Sequence, residues 1–260
     1  MSAKSRFVWH DLNTTDVEAA QRFYGELFNW KFEKGDNGPY LHIKAGEHMI
    51  GGIRGMGPDE HAPPNWIGYV AVDDVAATVA AVQKQGGKVY MPTTTMANVG
   101  TFAVVADPSG AAFAPWKSAR PDEDKEPTGK PGQHTFCWDE LLTPNAEAGA
   151  RFYAQIFGWG VEKVDMGGGM TYTLLKRPGV KDDKGVDKSA GGVMQSPPNA
   201  PHPPFWLPYV AVPSADATVD KAKRLGGQVM TGPLDIPNVG RFAVLLDAQK
   251  AAIAILQPSG

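Results

Sequence analysis

The chain has 260 residues and 27.8 kDa, with 42% hydrophobic and 20% charged side chains, which excludes a disordered chain and leaves one large domain or two of moderate size. Its 25 basic and 28 acidic residues give a net charge of -3, so no domain-sized cationic face for nucleic acid is implied, and the one cysteine, Cys137, excludes an intrachain disulfide framework or a multi-cysteine metal site. Neither a secretory apolar segment nor a run of roughly 18 apolar residues occurs, so a cytoplasmic protein with no membrane contact is expected.

In chain order, Phe7 to Leu12 is an apolar and aromatic run that predicts a strand, and Thr15 or Asp16 offers an N-cap for a helix over Val17 to Phe28. Ala20, Phe23, Tyr24 and Leu27 are spaced by three and four and form its buried stripe. Trp30 to Lys34 and Tyr40 to Lys44 flank the turn signal GDNG, and Met49 to Arg54 can add a third strand. The pattern then repeats: strand Trp66 to Val72, helix Val75 to Gln85 closed by Gly86 and Gly87, and strands Lys88 to Pro92, Thr101 to Ala106 and Ala111 to Trp116. Each half reads βαβββ.

The whole arrangement recurs. FVWHDLNTTDVEAAQRFYGELFNW from Phe7 matches FCWDELLTPNAEAGARFYAQIFGW from Phe136 without a gap, at an offset of 129 residues. WIGYVAVDDVAATV and NVGTFAVVAD match WLPYVAVPSADATV and NVGRFAVLLD at an offset of 140. The extra residues fall before Gly191, mostly in the polar segment RPGVKDDKGVDKSA, which predicts a surface loop. Residues 118–133, rich in Pro, Gly and charge, predict a linker between domains at 1–117 and 134–260. The turn Asp107-Pro-Ser-Gly110 becomes Asp247-Ala-Gln-Lys250 in the second copy, without the glycine.

These features together, the D-x6-FY-x3-F-x-W signature, the mid-domain YVAVDD and the terminal DPSGAAFAPW, resemble the vicinal oxygen chelate superfamily of glyoxalases, bleomycin-resistance proteins and extradiol dioxygenases. The W-x-[DE]-L-x-T start and the tandem arrangement are similar to a bacterial group of two-domain glyoxalase-like proteins. The resemblance implies an α+β fold of two tandem domains, each a pair of βαβββ modules forming an eight-stranded open-barrel cup, and because the 16-residue linker can reach between adjacent domains the two are expected to pack as an intrachain pseudo-dimer. It also implies a divalent metal in each cup, held from the first strand, the fifth strand and the last strand, sometimes with a fourth ligand from the fourth strand. By distance from the motifs those positions fall on Trp9, on or beside Ile67, and on Ala114; in the second copy they fall on Trp138, on or beside Leu207, and on Ala254. Gly51-Gly52 and Gly191-Gly192 stand on the fourth strands. None of these side chains donates to zinc, nickel or iron, so no metal and no other cofactor is expected.

Strand alternation puts Phe7 and Asp11 on the inward face with Trp9, and Phe136 and Glu140 with Trp138, while His10 and Asp139 point to the helix side or solvent. Asp11 and Glu140 are the candidate catalytic groups: a carboxylate among aromatics can serve as general acid or base, and it can equally cap a strand end. Trp9, Tyr69, Trp116, Trp138 and Tyr209 are the candidate ligand-binding residues, with Trp66 and Trp206 as further aromatics; each could instead be core. Tyr40 and His42 could reach the cup rim, where the second copy has Tyr172 and Leu174, so the histidine is not repeated. The other histidines lack metal-site spacing, the glycine clusters do not fit a nucleotide loop, and Cys137 reads as a small buried hydrophobe.

Three functions fit these residues: a metal-free protein that binds a small organic molecule in aromatic-lined cups; an enzyme, a lyase, isomerase or hydroxylase, using Asp11 and Glu140 or a relocated metal; and a structural protein whose cups are filled by their own side chains. The first is preferred, with a small molecule as partner.

Overall fold

The computed structural model describes residues 5–35, 38–120, 132–200 and 202–259. The first copy runs β1 (Phe7–Thr14), α1 (Val17–Phe28), β2 (Lys31–Lys34), β3 (Leu41–Ala45), β4 (His48–Gly55), β5 (Asn65–Ala71), α2 (Val75–Lys84), β6 (Lys88–Met96), β7 (Gly100–Ala106) and β8 (Ala112–Ser118). The second runs β9 (Phe136–Thr143), α3 (Ala146–Phe157), β10 (Gly160–Asp165), β11 (Thr171–Lys181), β12 (Asp187–Gln195), β13 (Phe205–Ala211), α4 (Ala215–Arg224), β14 (Gln228–Ile236), β15 (Gly240–Leu246) and β16 (Ala252–Pro258). The α+β class and the doubled βαβββ order are as the sequence implies. Most of the linker, residues 121–131, and Asp36 and Asn37 of the first hairpin turn lie outside the described residues.

Each copy contributes one open eight-stranded sheet, in the orders β2-β3-β4-β1-β5-β8-β7-β6 and β10-β11-β12-β9-β13-β16-β15-β14. Within a module the first and last strands run parallel, pairing Asp11 with Gly52, Tyr69 with Ala114, Glu140 with Gly192 and Tyr209 with Ala254. The helices are capped by side chains that accept from the third backbone N–H beyond them: Asp16 from Ala19, Asp74 from Ala77, Asn145 from Ala148 and Ser214 from Ala217.

The compact units cut across the copies. One comprises Met1–Val8, Gly68–Thr128 and Trp138–Trp206, the other Trp9–Ile67, Gly129–Cys137 and Leu207–Gly260, so each joins the first module of one copy to the second module of the other. Their cores explain the strongest sequence motifs. In the second unit, the Tyr24 hydroxyl donates to Asp247 at 2.9 Å and accepts from Trp66 Nε1 at 3.2 Å. In the first unit, Tyr153 donates to Asp107 at 3.3 Å and accepts from Trp206 Nε1 at 2.8 Å. The tyrosine of each Phe-Tyr pair is thus matched with the turn aspartate of the other copy. All six side chains are at most 5% exposed, and burial with the neighbouring carboxylate pushes both phenols well above their ordinary pKa, so they stay protonated donors. Trp30 and Trp159, closing the F-x-W motif, donate to the carbonyls of His134 and Ser5.

Two expectations are corrected. The polar segment before Gly191 is not a loop: β11 and β12 extend through it, pairing Lys181 with Asp187, and the turn between them is closed by Asp182 accepting from Lys184 and Val186. Polarity there reflects two solvent-facing strand ends rather than absent pairing. Phe7 packs on Trp206 and Trp159, at centroid distances of 4.9 and 6.3 Å, and Phe136 packs on Trp30 and Trp66, so both belong to the helix-side cores rather than to an inward face with Trp9 and Trp138. Trp66 and Trp206, left open between ligand stacking and core by the sequence, are core residues held by the tyrosine network. Among the described residues no helix is long and apolar enough to cross a membrane.

Candidate functional site

Two equivalent side-chain panels stand where the sequence places its candidate residues. In the first, Asp11 on β1 pairs with Gly52 on β4, which pairs in turn with His42 on β3. Gly52 is required here: a Cβ on it would lie 1.9 Å from the Tyr40 hydroxyl, so the phenol occupies the space a side chain would take. That hydroxyl donates to Asp11 Oδ1 at 2.6 Å and accepts from Trp9 Nε1 at 3.0 Å, while the same indole N–H is 2.8 Å from Asp11 Oδ1. Burial, then the Asp11 charge, raises the Tyr40 pKa far above the ordinary phenol value, so it donates at every accessible pH.

The second panel repeats this on other strands. Glu140 on β9 pairs with Gly192 on β12, and a Cβ on Gly192 would lie 2.0 Å from the Tyr172 hydroxyl. Trp138 Nε1 donates to that hydroxyl at 2.9 Å, and the phenol hydrogen-bonds Glu140, with its pKa raised by burial and then by the carboxylate. Position 174, paired with Gly192 as His42 is with Gly52, is leucine.

Chemically, a panel is an indole N–H, a neutral phenol and a carboxylate that satisfy one another at the edge of two aromatic rings. The sequence already matches Tyr40 with Tyr172 near the cup rim; what it does not show is that each phenol bonds the carboxylate two residues beyond the tryptophan, because that contact crosses from one strand to another.

The remaining candidates form separate clusters. Tyr69 lies 6.1 Å from Trp116, edge-on, and 6.0 Å from Phe102, while Tyr209 is 5% exposed and lies 6.4 Å from Phe242. His10 and Asp139 are buried, His10 stacked on Phe136 at 4.0 Å. Cys137 Sγ points to the Tyr209 carbonyl at 3.4 Å.

The superfamily's metal does not fit these residues. Ala114, Leu207 and Ala254 are fully buried without a donor atom, and the fourth-strand position that could carry a ligand is closed by a phenol already committed to two hydrogen bonds. Among the described residues no group of three or more His, Cys, Asp or Glu side chains is arranged to hold an ion.

Residues 6–114 match the family model described as Glyoxalase/Bleomycin resistance protein/Dioxygenase superfamily. Full-length relatives agree: "Putative glyoxylase CFP32" of Mycobacterium tuberculosis is 37% identical over 96% of this chain and 94% of its own length. The chain belongs to this superfamily. "Anthracycline biosynthesis protein DnrV" of Streptomyces peucetius is 33% identical, covering 96% of this chain and 92% of its own. The fold is shared with the Mn(II)-bound glyoxalase from Novosphingobium aromaticivorans, at a TM-score of 0.64 and 18% identity over 97% of this chain and 83% of that one. It is shared too with homoprotocatechuate 2,3-dioxygenase from B. fuscum, at a TM-score of 0.64 and 15% identity over 98% of this chain and 71% of that one.

Proposed function

We propose that this superfamily member binds a planar, oxygen-bearing aromatic small molecule without the family's metal. The observation that carries this is the Trp-carboxylate-Tyr panel, present in both copies, in which a tyrosine hydroxyl takes the place of a fourth-strand ligand. A self-satisfied polar edge next to indole and phenol rings offers flat apolar faces for stacking and fixed polar atoms for orientation, as small-molecule sites do. Trp9 in the first panel and Trp138 in the second would each stack on a ligand of their own, the Tyr69-Trp116 pair would offer a further stacking face apart from them, and Asp11 and Glu140 would position the tyrosines. The relative named for anthracycline biosynthesis favours this ligand class, since anthracyclines carry a planar hydroxylated anthraquinone.

Two measurements on the purified chain test the reading. Elemental analysis after dialysis should find no stoichiometric zinc, nickel, manganese or iron. Alizarin red S, a hydroxylated anthraquinone sulfonate, should quench tryptophan fluorescence saturably and raise the melting temperature; a ligand held a hundredfold above its dissociation constant adds about 2.7 kcal/mol. A retained metal, or no saturable binding by this probe, overturns the proposal.

A further inference from the structure

The two panels differ at one polar position. His42 lies edge-on to Trp9 and to Tyr40, at centroid distances of 5.9 and 5.2 Å, and its buried Nδ1 has no hydrogen-bond partner. Burying an imidazole nitrogen without a partner costs stability, and the fold does not require it, because the equivalent residue Leu174 pairs with Gly192 in the same register. Within this panel the indole N–H and the phenol are already committed to each other and to Asp11. The imidazole therefore brings an unmet hydrogen-bonding capacity to the first panel alone.

We propose that His42 is the specificity-determining residue of the first panel, accepting a hydrogen bond from a hydroxyl group of an aromatic ligand, and that the Trp138 panel lacks this selectivity. The inference rests on the aromatic-ligand reading above. Rotation about the Cβ–Cγ bond, a soft two-fold torsion, exchanges Nδ1 with Cδ2 and can carry the nitrogen from its buried position toward a ligand. Neutral imidazole accepts through one nitrogen, as the proposal needs.

The experiment compares two probes on wild-type protein and on His42→Leu: alizarin red S, which carries ring hydroxyls, and anthraquinone-2-sulfonate, which does not. His42→Leu should weaken alizarin red S about tenfold at the first-panel site, leave anthraquinone-2-sulfonate unchanged, and leave the melting temperature of the ligand-free protein unchanged or raised. His42→Phe, which keeps a ring and removes both nitrogens, decides the same contrast if the leucine variant does not fold. Equal affinities of wild type and variant for alizarin red S, or an equal loss for both probes, overturn the role of His42 while leaving the binding reading intact. Failure of wild-type protein to bind either probe removes the binding reading and this inference with it.

Discussion

The Trp9 and Trp138 panels share a strand register, a glycine that yields its space to a phenol, and an indole N–H aimed at that phenol. They diverge in the length of the carboxylate, Asp11 against Glu140, and in the residue across the glycine, His42 against Leu174. The shared parts are interdependent: the glycine makes room for the tyrosine, whose hydroxyl has an acceptor only because a carboxylate stands opposite on the first strand. The divergent parts leave that framework intact, so duplication could preserve the frame while the row next to it changed.

The largest effect should come from closing the shared space. Gly52→Ala and Gly192→Ala each force a phenol out of a position that a Cβ would approach to 2.0 Å or less, breaking its hydrogen bonds, and should each cost about 3 kcal/mol in urea unfolding. Removing the obstacle should restore much of this, so Gly52→Ala with Tyr40→Ala should be less destabilised than the sum of the single changes. Loss in only one copy would show that the panels are not equivalent. Next, Asp11→Asn and Tyr40→Phe should show a coupling of about 1.5 kcal/mol in a double-mutant cycle, as should Glu140→Gln and Tyr172→Phe. Additive effects would mean that the carboxylate and phenol do not depend on each other.

The fold was legible because the signals that specify it are local or repeated. The helix over Val17 to Phe28 has its stripe, its Asp16 cap and its ends where periodicity puts them. The candidate site was only half legible. Trp9 and Asp11 are two residues apart on one strand, and alternation pairs them; Tyr40 reaches them through the sheet, across a hairpin, and strand period carries no information about that. The inward placing of Phe7 and Phe136 failed for a related reason: at the start of a strand, the aromatic clusters of a unit core outweigh alternation. The pairing of Tyr24 with Asp247 and of Tyr153 with Asp107 was invisible because each joins different copies.

The two turns that end β7 and β15 offer a smaller test. Gly110 closes the first at a φ of +105°, and its backbone N–H bonds Asp107 O at 3.0 Å. Lys250 closes the second at +77° with the same bond, at 3.1 Å to Asp247 O. A side chain in this region is strained, so Lys250→Gly should stabilise by about 0.5–1 kcal/mol and Gly110→Ala should destabilise by about 1 kcal/mol. Opposite signs in thermal unfolding would confirm that the second copy tolerates a cost the first avoids; a destabilising Lys250→Gly would show that the lysine side chain offsets its strain.

The smallest expected effect lies in an ion pair that only the first copy possesses. Arg54 at the end of β4 meets Glu60 through two parallel bonds of 2.6 and 2.7 Å and holds Asn13 on β1 through Nε at 2.9 Å. The second copy has Met194 and Ala200 at these positions. Hydrogen bonds from Arg54 and from the Gly57 backbone lower the Glu60 pKa from 4.5 to about 2. With a folded pKa below the unfolded one, the stabilisation is present above about pH 4.5 and is lost as pH falls through about 2. Both side chains are about 40% exposed, so water and salt screen most of that shift, and Glu60→Gln should cost only about 0.5 kcal/mol at neutral pH. Its difference from wild type should shrink as pH falls through this window and should diminish at high ionic strength. A cost that persists unchanged below pH 2, where the wild-type carboxyl is itself protonated, would assign the residue's contribution to the neutral hydrogen bonds around Gly57 and Asn13 and not to charge.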